Sequence, residues 1–321
     1  MSNTFLYAVT VLIWGSTFFA IEFQLGTVAP EVSLVYRFAG AAVLLLAWSR
    51  IRGLNLAFKI REHAWFALLG IFLFGVNYVL AYRAQIYISS ALTAIAFSTL
   101  LWMNIINSRI FFGVRAESRV LFGALLGIAG ILTLFLPQVR ELSLTDSVFF
   151  GSLLAVGGAF VASLGNMVSQ AAQKRSLPVI QGNAWGMFYG SIVAAIIATM
   201  GGHAFNFDWS PAYVGSLAYL TVFGSIFAFG AYLTLLGRIG AHRAGYSMVL
   251  FPVLALVLSV LFEGLRIDAS LIVGTALVLA GNVFVLKKNL TPSIFRRVVR
   301  NTSCTDTSND GRIQSGAYAG R

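Results

Sequence analysis

Residues 64–82 read AWFALLGIFLFGVNYVLAY, an uncharged run bounded by His63 and Arg83. About 20 mostly apolar residues are needed to cross the hydrocarbon of a bilayer as a helix. Backbone groups in lipid have no water to bond, so such a run must close its hydrogen bonds within its own segment. This stretch predicts a membrane-spanning helix over 63–83, and the same reading extends along the chain. Runs at 4–22, 31–49, 89–112, 119–137, 147–172, 179–200, 211–236, 242–262 and 268–286 complete a set of ten predicted spans. The gaps between them are short and carry Arg, Lys, Pro, Gly or Asp, and none could hold a soluble domain. Composition agrees: 58% of the 321 residues are hydrophobic and 10% charged, with a mean hydropathy of +0.84, too few charges to cover a soluble surface. The first run lacks a basic leader and a small-residue cleavage site and is read as a retained helix.

Charge placement predicts orientation. With the N-terminus inside, the inner loops and tail hold 18 of the 22 Lys and Arg residues. Only Arg83, Arg140 and Arg266 fall outside, while Glu31, Glu141, Asp146, Asp208, Glu263 and Asp268 lie on outer loops. The excess of basic residues on one side places both ends in the cytoplasm. The net charge of +11 is thereby a matter of topology and predicts no nucleic-acid partner. Residues 289–321 form a basic tail, predicted to stay disordered, that holds the chain's single cysteine, Cys304.

An internal repeat divides the ten spans. Gly123–Gly130 (GALLGIAG) falls on Gly274–Gly281 (GTALVLAG) at an offset of 151, as does Phe112-Gly113-Val114-Arg115 on Glu263-Gly264-Leu265-Arg266. The chain is accordingly predicted to comprise a first five-helix repeat (1–140), a second (141–288) and the tail. Five spans is an odd number, so the second repeat enters the membrane from the opposite side. Inverted halves of this kind place a substrate site near the midplane and allow alternating access. The predicted fold class is an all-α polytopic membrane protein with ten helices in two inverted repeats.

In their order and spacing, several short pieces resemble the drug/metabolite transporter superfamily, in its ten-helix EamA-type branch. These are Trp14-Gly15-Ser16-Thr17-Phe18, Arg37-Phe38, Ala84 to Ala94 and Arg238-Ile239-Gly240-Ala241-His242-Arg243-Ala244, followed by Pro252, Gly264 and the Gly274–Gly281 run. The resemblance spans nearly all of residues 1–288. It departs at Val114 and Leu265, where the family often has Glu, and at Leu101, where it has Pro. It implies an inner-membrane exporter or carrier of amino acids, related metabolites or drugs.

Polar residues in mid-span are costly in lipid and tend to face an interior or a cavity. The substrate-cavity candidates are Trp14, Ser16, Asn77, Tyr78, Tyr82, Trp102, Asn166, Gln170, Tyr232, Tyr246 and Ser247. Interhelical hydrogen bonding, or plain packing volume for the two tryptophans, is the competing role for each. Glu22, Arg37 and Glu263 are candidates for charge pairing or coupling. Arg37 is expected to pair with Glu22 or Glu31, or else to hold a substrate carboxylate. Pro252 is expected to kink the ninth span, and glycines such as Gly123/Gly127/Gly130 and Gly186/Gly190 to admit close helix contact.

Neither a His/Cys cluster for a metal nor a phosphate-binding Gly-Lys-Ser/Thr motif occurs. The sequence predicts no catalytic residues, no cofactor and no metal, with the bilayer and a small-molecule substrate as partners. A monomer and a homodimer fit it equally. The expected function is secondary export of small amphipathic metabolites, with broad drug efflux as the alternative and a non-transporting receptor or scaffold as a more distant one.

Overall fold

Long apolar segments with polar punctuation fold into helices that start and stop where the local chemistry allows. The structure, a computed structural model, describes residues 1–134, 146–251, 253–254 and 269–286. Its helices are α1 (Asn3–Glu22), α2 (Pro30–Ile51), α3 (Ile60–Tyr87), α4 (Leu92–Phe112), α5 (Ser118–Leu134), α6 (Asp146–Lys174), α7 (Val179–Met200) and α8 (Pro211–Ile239). After these come α9, a short helix Ala241–Ala244 continued as a 3-10 stretch over Gly245–Leu250, and α10 (Ala269–Leu286). Ser2 Oγ accepts the Phe5 N–H to cap α1, and Ser210 Oγ does the same for Tyr213 ahead of α8, where Pro211 fills the first turn.

Among the described residues, seven of these helices are long and apolar enough to cross a membrane, and two shorter apolar stretches lie at Ser118–Thr133 and Ile272–Gly281. Pro252 and residues 255–262 of the predicted ninth span, and Glu263 just beyond it, lie outside the described residues. No strand occurs among the described residues.

The packing is reciprocal. α2 lies along α7, and α5 lies along α10. α3 contacts α6 as α8 contacts α1, and α2 contacts α8 as α7 contacts α3. Exchanging the halves by a shift of about 150 residues therefore leaves the first two pairs unchanged and carries each of the others onto its counterpart. Two interruptions of regular helix obey the same shift. α3 widens to a π-helix over Gly70–Val76, and α8 does so over Leu220–Phe227. A π-helix bonds each N–H five residues back instead of four and commonly marks a functional segment.

Small residues set the closest approaches. Gly70 on α3 faces Gly186 and Gly190 on α7, and Gly130 on α5 faces Gly274 on α10. In a bilayer the lipid tails are as apolar as the side chains, so close van der Waals packing of this sort is what holds helices together.

Outside the spans, Glu117 joins Arg119 and Arg243 in an ion pair cluster between the start of α5 and α9. The hydrogen bond from Arg119, with Arg243 beside it, holds the Glu117 carboxyl below the usual carboxylate range. A depressed folded-state pKa adds stability above the ordinary glutamate pKa of about 4.3 and loses it as pH falls through the folded value. The group is about half exposed, so solvent screening keeps the contribution small. Glu117→Gln is expected to cost a few tenths of a kcal/mol at pH 7. In thermal melts its deficit should shrink as pH falls below about 4.3 and vanish below the lowered folded value; a deficit that persists in strong acid would show that the pair is not its source.

Candidate functional site

The site is a cavity of about 560 Å³, counting the part open to solvent, where six helices converge. α1 supplies Trp14, Thr17, Phe18 and Ile21, α3 supplies Leu73, Asn77, Tyr78 and Ala81, and α4 supplies Phe97 and Leu100. From the second half come Ala162 and Asn166 on α6, Phe229 and Tyr232 on α8, Met248 on α9 and Phe251 directly after it. The first, third and fourth helix of each half thus contribute, and none of the described lining residues is charged.

Trp14 organises the aromatic wall. Its ring meets Phe229 edge-on at 4.7 Å, Tyr232 at 4.9 Å and Phe251 at 5.8 Å. Its Nε1–H donates to the Gly224 carbonyl at 3.0 Å, inside the π-helical segment of α8. The irregular backbone there and the indole on α1 thus satisfy one another.

Two carboxamides supply the polar contacts, one from each half. Asn166 donates to Tyr232 Oη at 2.9 Å and to Asn104 Oδ1 at 3.2 Å. Asn77 Oδ1 and Asn166 Oδ1 are both buried without a hydrogen-bond partner among the described residues. An unpartnered buried oxygen costs about 1–3 kcal/mol, so a site holding two of them favours a ligand that brings donors. A largely apolar wall with a few converging polar groups is the general form of a small-molecule site.

Beyond the cavity, toward the α8–α9 junction, side chains clamp the backbone. Gln170 Oε1 accepts the Ala241 N–H at 3.1 Å, while Asn104 donates to the Ala241 carbonyl at 3.3 Å. The clamp joins α4 of the first half to α6 and α9 of the second.

Of the residues singled out from sequence, the structure brings Trp14, Asn77, Tyr78, Asn166 and Tyr232 together on the cavity wall. The others go elsewhere. Ser16 bonds Tyr219 Oη at 2.6 Å and its own helix, Gln170 sits in the clamp, and Ser247 donates to the Ala244 carbonyl at 2.8 Å. Trp102 packs with Leu101, Ile105 and Val249 in a second apolar cluster, where Tyr246 donates to the Gly123 carbonyl. Glu22 is exposed at the end of α1, and Tyr82 accepts from Arg37. The cavity's apolar wall, including Phe18, Phe97, Phe229 and Phe251, has no signature in the sequence. Along α1 and α4 every face is apolar, so no periodic signal separates the wall from the lipid side there.

The expected pairing of Arg37 with an acid is corrected by the structure. Glu31 takes Arg83 instead and lies 3.7 Å from His203 Nε2. Six residues separate Glu31 from Arg37 along α2, which turns them to different faces and offsets them by about 9 Å. Arg37, 1% exposed, bonds Ser225 Oγ through Nε at 2.9 Å and Tyr82 Oη through Nη1 at 3.1 Å.

A model of the EamA-like transporter family matches residues 2–136 and again residues 149–287. The chain belongs to the EamA-like transporter family. It is an integral membrane protein of a transporter fold. Among the relatives of this EamA-like chain is the uncharacterized inner membrane transporter YedA of Escherichia coli, 28% identical over 77% of this chain and 78% of that protein. The uncharacterized transporter YoaV of Bacillus subtilis is 24% identical over 84% and 91%. A biotin transporter of Escherichia coli is 28% identical over 60% and 62%. A solved crystal structure, 18% identical, superposes with a TM-score of 0.73 over 92% of this chain and 98% of its own, a likeness of fold.

Proposed function

We propose that this EamA-like chain is a secondary carrier that exports small amphipathic metabolites, such as amino acids or related compounds, across the inner membrane by alternating access. The observation that carries the reading is the cavity between the halves, apolar in its walls and holding one unsatisfied carboxamide oxygen from each half. The reciprocal helix contacts and the paired π-helical segments support two inverted halves that rock about this site. The distribution of Lys and Arg supports cytoplasmic termini, and the relative named an inner membrane transporter supports that membrane. The relative named a biotin transporter supports a metabolite as cargo. In this orientation the Gln170–Ala241–Asn104 clamp lies beside the cytoplasmic α8–α9 junction. The concentration of aromatic rings favours broad drug efflux as the second reading.

Uptake into proteoliposomes by the purified protein tests the proposal, with amino acids, nucleosides and cationic dyes, with and without a pH gradient. Flux of any panel member above protein-free vesicles supports it, and a folded protein that moves none of them counts against it. Dyes alone would favour the efflux reading.

The two carboxamide roles separate by mutation. Asn77→Ala removes an oxygen that has no hydrogen-bond partner among the described residues, so it is expected to weaken substrate affinity about tenfold and leave the melting midpoint nearly unchanged. Gln170→Ala frees the Ala241 N–H and is expected to cost about 1–2 kcal/mol of stability. If Asn77→Ala changes stability alone, Asn77 belongs to the packing and not to the site.

A further inference from the structure

A guanidinium cannot shed its proton inside a protein, so a buried arginine must find anionic or strongly polar company. Arg37 finds only neutral groups. Its Nε and Nη1 reach the hydroxyls of Ser225 and Tyr82, and its Cζ lies 4.8 Å from the Tyr78 ring centroid and 5.1 Å from that of Phe38. Among the described residues no carboxylate pairs with it, and Nη2 is buried with no hydrogen-bond partner. Hydroxyls and ring faces compensate a membrane-embedded charge less well than a carboxylate does, and intramembrane ionisable residues usually mark a pathway.

The position of Nη2 ties it to the cavity. A methyl group on Gly224 would lie 3.2 Å from Arg37 Nη2 and 3.0 Å from Cγ2 of Thr17, a lining residue. The missing side chain at Gly224 therefore leaves the free edge of the guanidinium next to the cavity wall. Tyr78, which lines the cavity on one side, receives the guanidinium on the other.

We infer that Arg37 is the anion-binding group of the cargo site, and that the cargo carries a carboxylate beside its apolar part. The inference rests on the carrier reading and specifies its substrate class. The carboxylate takes Nη2 and shares a second donor with one of the hydroxyls, giving the two-pronged geometry that arginine offers and lysine does not. The apolar part lies against Trp14 and Phe229, and donors on the cargo meet Asn77 Oδ1 and Asn166 Oδ1.

The test is binding of matched probes to the full-length protein in detergent, followed by thermal shift and by tryptophan fluorescence. A panel of N-acetyl amino acids is compared with the corresponding N-acetyl amino acid amides, which keep the shape and lose the charge. At least one acid is expected to bind, about tenfold or more tighter than its amide. Arg37→Gln should erase that preference while leaving amide affinity in place, and Arg37→Lys should restore it in part. Amides binding as well as acids, or no acid binding at all, overturns the inference. So does an Arg37→Gln protein that is folded and retains the preference, or that loses acids and amides equally. The wild-type comparison needs no variant and decides the matter if Arg37→Gln does not fold. The outcomes also separate the two readings. Flux of neutral or cationic compounds with no acid bound removes the anion site and keeps the carrier, whereas acid binding with no flux of any compound does the reverse.

Discussion

Gly70→Ala is expected to destabilise the folded protein by about 3 kcal/mol, read as a fall of several degrees in the melting midpoint in detergent. The added methyl would lie 2.7 Å from the Gly186 carbonyl oxygen, 2.8 Å from the Gly190 nitrogen and 2.6 Å from Tyr189 Cβ. Two of these are backbone atoms of α7, which cannot rotate aside. The helices α3 and α7 must part, and the seam that seats Phe74 between Gly186 and Gly190 opens with them. With no water to drive reassociation inside the bilayer, lost van der Waals contact is lost stability. Gly230→Ala is the control: its methyl would meet nothing within 4 Å, so the gain in helix propensity should leave it neutral or slightly more stable. Equal midpoints for the two variants would sink the argument that this seam is close-packed.

Trp14→Ala is expected to cost about 4 kcal/mol and to abolish tight binding in the cavity. Three ring contacts and one hydrogen bond depart together: those to Phe229, Tyr232 and Phe251, and that to the Gly224 carbonyl. The void left behind adjoins an existing cavity, so neighbouring rings have room to slump into it. Trp14→Phe separates the contributions, since it keeps an aromatic face and loses the N–H with only part of the ring volume. Its expected cost is about 1–2 kcal/mol. A melt of Trp14→Ala within a degree of wild type would show that α1 is held to α8 by other contacts. If Trp14→Phe proved as damaging as Trp14→Ala, the bond to the π-helical carbonyl would matter more than the ring contacts.

The fold class was legible because lipid imposes a length and a polarity on anything that crosses it. The run at 64–82 cannot be read as a soluble strand or loop. The cavity was legible only in part, and the residues show why. Asn77 and Asn166 stand out as amides in apolar runs, so the penalty that lipid puts on them singles them out. Gln170 and Tyr246 are polar for the same reason and look identical in sequence, yet they bond backbone groups of neighbouring helices. Their distinction from Asn77 is whether another helix brings a partner, which is a three-dimensional fact. Arg37 illustrates the limit most sharply. Two acids within reach along the chain suggested a pair, but helical phase sends Glu31 to Arg83 and leaves Arg37 among tyrosines and serine.

The amino-acid sequence by itself determined that this chain is a polytopic helical membrane protein resembling the EamA-type carriers. Hydrocarbon thickness and backbone hydrogen bonding act on each segment alone, so local composition suffices for that. Only the tertiary structure decided which six helices enclose the cavity, which amide oxygens remain free within it, and that the buried guanidinium of Arg37 faces no carboxylate among the described residues. Those properties depend on how helices are rotated against one another. In spans that are apolar on every face, that rotation is set by glycine contacts and buried polar pairs between segments far apart in the chain.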